Sequence, residues 1–212
     1  MLRRMAAVLL ITGALPASAQ IGRGARYGAD PDYWVGLSYG YVSGTTIADQ
    51  SSAATWEFGY TSQLQATIEK TVQRGWTIGA SAGFATAPLT YVTNSFSTAC
   101  AGSCSARADV AQYMAFVRGG GGLGFHGTYS LAAGMTEFSK FRTTDGSASL
   151  APTSAKYDFS FGLGGGFGYG FSQTTEAYIG EDWDLVLHPQ GNGAANNAPR
   201  IWTFRAGFRV GF

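Results

Sequence analysis

Charge is what this sequence has least of. Asp, Glu, Lys and Arg make up 13% of its 212 residues, about half the 25% or so of soluble domains, too little for an ordinary water-facing surface. Neither sign is in excess. Leaving aside Arg3 and Arg4, twelve basic residues face thirteen acidic ones, a net charge of −1, so no basic field draws in nucleic acid. Two histidines and two cysteines leave little material for acid–base or metal chemistry. Six prolines alongside 14% aromatics argue against disorder. Nowhere after residue 19 is there an apolar run of about 18 residues, which excludes a transmembrane helix.

What is present begins with a leader. Arg3 and Arg4 precede an apolar stretch from Met5 to Leu15, then Pro16 and the small triplet Ala17-Ser18-Ala19. That order is a secretory signal peptide over 1–19, cut after Ala19. Pro16 ends the run too early for a membrane anchor of about 20 residues. A secreted chain with too little charge for water and no helix for the bilayer can still span a membrane as a closed sheet, which satisfies every backbone hydrogen bond in hydrocarbon.

Glycine, at 31 residues, and large rings then alternate in segments. Tyr33 to Val42 sets Val35, Leu37, Tyr39 and Tyr41 against Gly36, Ser38 and Gly40. Ala54 to Val72 keeps Trp56, Phe58, Tyr60, Leu64, Ala66, Ile68 and Val72 in one phase and so predicts one long strand. Further strands are predicted over 76–86, 110–118, 123–137, 156–171, 175–187 and 200–212. In 156–171, Phe159, Phe161, Leu163 and Phe167 alternate with Ser160, Gly162, Gly164 and Gly166; in 175–187, Glu181 interrupts the apolar phase. The connections, 43–53, 73–75, 87–109, 119–122, 138–155, 172–174 and 188–199, alternate long and short. In an up-and-down barrel this puts tight turns at one rim and long loops at the other, as in outer-membrane barrels. The expected fold is an all-β, eight-stranded antiparallel transmembrane barrel over 33–212, with 20–32 as an N-terminal periplasmic segment. Its rings face lipid, and glycine and polar groups face the lumen. Tyr41, Trp56, Tyr157 and Trp202 are expected in one aromatic belt and Tyr33, Trp76, Phe171 and Phe212 in the other. Trp34 has lumen parity, which the pattern does not explain.

With its leader, loop asymmetry and final strand, the chain resembles the small outer-membrane barrels of the OmpA/OmpX type. Trp202, Phe204, Phe208, Val210 and Phe212 share one phase in the last segment, which looks like the signal that the outer-membrane assembly machinery reads in that class. The resemblance implies a bacterial outer-membrane location and no separate periplasmic domain after the barrel; it names no activity.

Several residues are candidates for chemistry. Cys100 and Cys104, in the 87–109 loop, read as a disulfide in an oxidising compartment, since one cysteine pair without a histidine in that loop cannot complete a zinc shell. The run beginning at Gly162 lacks the lysine and helix of a phosphate loop. Glu57, Glu69, Arg118, Asp158, Glu176, Asp182, Asp184, Arg205 and Arg209 all have lumen parity. Each arginine is expected beside a carboxylate, forming a polar plug or else lining an ion path. His126 has lumen parity too, and His188 lies close to Asp184 in sequence. No cofactor is expected. The expected role is non-enzymatic: contact with outer-membrane lipids and recognition of an extracellular partner through loops 87–109 and 138–155. The alternatives are a narrow pore and a lipid A-modifying enzyme.

Overall fold

The computed structural model describes residues 31–97, 99–189 and 198–212. The leader at 1–19, most of the 20–32 segment and most of the 188–199 connection lie outside the described residues. Ten strands form one antiparallel sheet: β1 (Tyr33–Val42), β2 (Thr45–Asp49), β3 (Ala54–Phe58), β4 (Thr61–Gln73), β5 (Trp76–Ser97), β6 (Cys100–Gly119), β7 (Gly124–Thr143), β8 (Lys156–Ser172), β9 (Thr175–Leu187) and β10 (Arg200–Gly211). β1 pairs with β4 on one side and β10 on the other, so the sheet closes. Tyr33 and Phe212 exchange backbone hydrogen bonds of 3.1 and 2.9 Å at the seam. Eight staves surround the lumen, because β3 and β4 lie end to end beside β5, while β2 is an added edge strand on β3. At the lower rim Gly75 and Gly120, with φ of 73° and 92°, turn the chain where a side chain would be strained.

Through the membrane band the large side chains point outward. Val35, Leu37, Tyr39, Ile68, Ile78, Phe84, Leu131, Phe159, Phe161, Phe167, Phe204 and Phe208 are all exposed, while their strand neighbours Ser38, Gln63, Thr77, Ser160 and Thr203 are buried. Such an exterior suits hydrocarbon and not water. Belt residues Tyr33, Tyr41, Trp76, Tyr157, Phe171, Trp202 and Phe212 are exposed as well. Trp56 departs from its expected belt position: it is 0% exposed.

The cause is a change of solvent along the staves. Above the band the surroundings are aqueous, and apolar side chains turn inward. Ile47, Trp56, Phe58, Leu89, Tyr91, Phe138, Phe141, Leu150, Val186 and Ile201 form a buried core there. β5 has no shift over this stretch, so its large residues change parity instead, from Phe84 outside to Leu89 and Tyr91 inside. The predicted end of that strand at 86 marks this loss of phase and not a loop. β5 continues to Ser97, β6 already begins at Cys100, and β7 continues to Thr143. Much of the expected loops 87–109 and 138–155 is therefore paired β-ribbon standing above the membrane.

The predicted single strand over 54–72 is broken. Phe58 pairs with Leu89 and Leu64 with Phe84, so six steps on one side match five on the other. One extra residue near Gly59 and Tyr60 flips the side-chain phase, as in a β-bulge. Trp56 and Phe58 consequently face in and Tyr60 and Leu64 face out. Glu57, expected in the lumen, lies on the exposed side of β3.

Candidate functional site: a polar lumen beneath a β-rim

The lower lumen holds an ion-pair network. Arg118 Nη1 donates to Glu69 Oε1 at 2.7 Å, and Arg209 reaches Glu69 Oε2 at 3.0 Å and Glu176 Oε2 at 2.8 Å. Thr77 donates to Glu69 at 2.6 Å, and His126 Nε2 lies 3.3 Å from Glu176. Trp34 now has a reason for facing inward: the Arg209 guanidinium stacks 4.5 Å from its ring centre, a cation–π contact that also covers the charge from below. Arg118 lies between the rings of Phe116 and Tyr178, 5.2 and 5.3 Å away. The neighbouring walls come close, and glycine makes the room. A Cβ on Gly79 would stand 2.8 Å from Phe116 Cζ, and one on Gly207 2.6 Å from Tyr178 Cζ.

In the middle layer Arg205 binds Asp182 and Gln65. Gln63 donates to Gln112 at 2.8 Å, and Gln112 donates to Asp184 at 3.2 Å. Gln65, Gln112, Asp182, Asp184, Arg205 and Tyr178 border a cavity of about 70 Å³. At about 10–15 Å³ per enclosed water, that is space for a small group of waters.

The upper mouth is closed by rings and by one buried imidazole. His188 Nδ1 lies 2.6 Å from Asp158 Oδ2 and Nε2 lies 3.2 Å from Asp49 Oδ1. These two aspartates are therefore its carboxylate partners among the described residues, in place of its sequence neighbour Asp184. Trp56 packs against it with ring centroids 5.2 Å apart, and Phe141 against Trp56 at 4.4 Å. Burial alone would raise the Asp49 carboxyl, but hydrogen bonds from Ser52 and Ser51 outweigh it and hold the group below its ordinary range. The two imidazole nitrogens engage carboxylates on opposite sides, and among the described residues no three ligating side chains converge on a metal position.

The structure thus brings Glu69, Arg118, Arg209 and Glu176 together low in the lumen, Arg205 with Asp182 at mid-height, and Asp158 with His188 at the mouth. Cys100 and Cys104 are bridged on β6, with Cα atoms 5.6 Å apart. Trp202, Phe204, Phe208, Val210 and Phe212 face outward on the last stave. Sequence reasoning missed Asp49, whose role depends on the β2–β3 hairpin folding over the mouth. Gln63, Gln65 and Gln112 have the lumen parity that the alternation assigns them, but their place in the polar network with Asp184 and Arg205 was not anticipated. Glu181, which interrupts the phase of β9, is exposed on the outer face between Ile179 and Trp183.

No protein-family model and no curated protein matches the sequence. Among solved structures the fold is similar to neisserial surface protein A, at 9% identity and a TM-score of 0.52 over 87% of this chain and 100% of that one. The N-terminal β-barrel domain of Pseudomonas aeruginosa OprF gives 11% identity and a TM-score of 0.47 over 87% and 100%. Likeness at such identity speaks for fold alone. The fold is that of the small eight-stranded outer-membrane β-barrels, and the ring-covered exterior suits it to the bacterial outer membrane.

Proposed function

We propose that the protein is a non-enzymatic outer-membrane barrel with a closed lumen, acting through the β-rim that stands above the membrane. The observation that carries this reading is the lumen itself, filled by paired charges below and stacked rings above around a cavity of about 70 Å³. The rim offers the recognition surface: the β5–β6 ribbon stiffened by the Cys100–Cys104 bridge and the end of β7 with the connection that follows it to 155. A rigid scaffold carrying accessible upper segments is the usual arrangement for binding. The last stave would supply the assembly signal through Trp202, Phe204, Phe208, Val210 and Phe212. A lipid A-modifying role finds no support in the histidines, since His126 and His188 are both held inside the lumen by carboxylates.

The closed lumen predicts silence in planar bilayers from protein shown to be folded by heat-modifiable gel migration; discrete conductance steps would reject it. Rim recognition is tested by excising the ribbon between the paired residues Thr90 and Ser105. Cells displaying the intact protein should adhere to immobilised extracellular-matrix proteins, and cells displaying the shortened one should not. Equal adhesion would remove the ribbon from the function.

A further inference from the structure

Strands tilted by about 40° climb about 2.6 Å per residue toward the outer surface. Ten residues separate Trp76 at the lower belt from Thr86, a climb of about 26 Å, which is the whole height of the apolar band. Asp109, opposite Thr86, therefore lies at the outer border of the hydrocarbon, where lipid headgroups begin. Around it are three cations. Lys140 Nζ lies 3.2 Å and Arg142 Nη2 3.0 Å from the Asp109 carboxylate. Arg107 is exposed and stands directly across the ladder from Arg142.

Two features of this cluster work against the stability of the bare barrel. Like charges on directly opposed strand positions repel, and three cations outnumber the two outward carboxylates, Asp109, which is in ion-pair distance, and Glu137, which lies opposite Ala111 just below. The backbone is also held in an uncommon conformation to present them. Lys140 has φ of 52°, a left-handed conformation that is costly without a special reason. Asp109 pairs with Ser139 and Arg107 with Arg142, so one extra residue is inserted on β7 there. Without it, Lys140 and Arg142 would keep the inward phase of Thr136 and Phe138. With it, Phe141 turns into the core and both cations turn out. Directly below, on the same outer face, Phe84 and Tyr113 are exposed and meet edge to face with centroids 6.0 Å apart.

We propose that Arg107, Lys140 and Arg142 form a docking site for the phosphate-bearing headgroup of an outer-leaflet lipid, whose acyl chains lie along the Phe84–Tyr113 face. The phosphate supplies the negative charge that Asp109 and Glu137 together leave short, in the bidentate geometry that guanidinium groups favour. Contiguity of cations above and rings below fits an amphiphile better than a soluble anion, which would have no use for the apolar half. The inference rests on the barrel spanning the outer membrane and is independent of what the ribbon recognises.

The test uses the mature barrel refolded in non-ionic detergent, titrated with diphosphorylated lipid A and read by native mass spectrometry. One lipid should bind, and Arg107→Gln should weaken it about fivefold, the expected effect of removing one cation near an anionic surface. The triple change R107Q/K140Q/R142Q should abolish binding, and Asp109→Asn should strengthen it. Arg107 has no side-chain partner among the described residues, so its single variant carries the test if the triple one fails to show heat-modifiable migration. Unchanged affinity in Arg107→Gln would overturn the site. Displacement of the lipid by inorganic phosphate, or by a heparin oligosaccharide, would overturn the lipid assignment in favour of a soluble anion. A preparation without heat-modifiable migration would instead indict the membrane-barrel reading itself.

Discussion

At the scale of single residues, Glu69 carries the most. It is 1% exposed and accepts from Arg118, Arg209 and Thr77 at once. A buried ion pair adds little over an apolar pair of the same shape, but breaking one leaves an uncompensated charge, at about 3–5 kcal/mol. Glu69→Ala strands the Arg118 guanidinium and leaves Arg209 with Glu176 as its one carboxylate, so urea unfolding of the vesicle-inserted protein should lose about that much stability. A loss below about 1 kcal/mol would mean the charges are solvated and the lower lumen is open to water. The parity rule located this residue, and both arginines, in the lumen. What parity could not supply was which charge meets which, because partners such as Glu69 and Arg209 lie on staves joined only when the barrel closes. Trp34 shows the same limit: its inward position makes sense only once Arg209 is above it.

At the scale of elements, the second stave shows why alternation can mislead. Its large residues keep even numbers from Trp56 to Val72 although the first two point in and the rest point out. Two inversions coincide near Gly59. The solvent outside changes from water to lipid, and the extra residue shifts the side-chain phase, so the sequence reads as unbroken. On β5 the solvent changes without a shift, and there the phase visibly fails. This assignment separates two similar substitutions. Trp56→Ala opens a cavity in a packed core and should cost about 3–5 kcal/mol. Tyr60→Ala removes an outward ring that stacks on Tyr41 at 5.5 Å, and should cost less than half as much. Both are measured by urea unfolding in the same vesicles. Equal losses would put Trp56 back on the lipid face and remove the upper core. The ribbon of β5 and β6 was illegible for the same reason: above the membrane its pattern obeys the opposite rule, and a reading tuned to lipid ends the strand there.

At the scale of the whole molecule, closure depends on a contact among distant parts of the chain. The β2–β3 hairpin places Asp49 against His188, which Asp158 of β8 also holds, and Gln50 N donates to Pro189 O at 3.3 Å. The Asp49 carboxyl is held below its unfolded value of 3.8 by its serine partners. A depressed carboxyl contributes stability that is fully present above the unfolded pKa and is lost as pH falls through the folded one. The mouth should therefore stay shut at neutral pH and loosen only in strong acid, below about pH 4. Protease cutting within the hairpin, with the staves still intact, is the readout. Asp49→Asn should make the hairpin more readily cut at neutral pH and flatten the acid dependence. An acid profile identical to the wild type would show that Asp49 does not govern the closure.

The sequence alone determined the up-and-down order of the staves, the lipid-facing rings and the sorting of long and short connections. Each of these depends on local alternation and composition, which a neighbourhood of ten residues contains. Only the tertiary structure decided the charge partners, the rings packed around His188 at the mouth, the inward turn of Trp56 and the outward turn of Lys140 and Arg142. These depend on inserted residues that reset the phase and on side chains from opposite ends of the chain meeting in a narrow lumen. Periodicity records which residues share a face; it does not record which solvent that face meets, or which stave stands opposite.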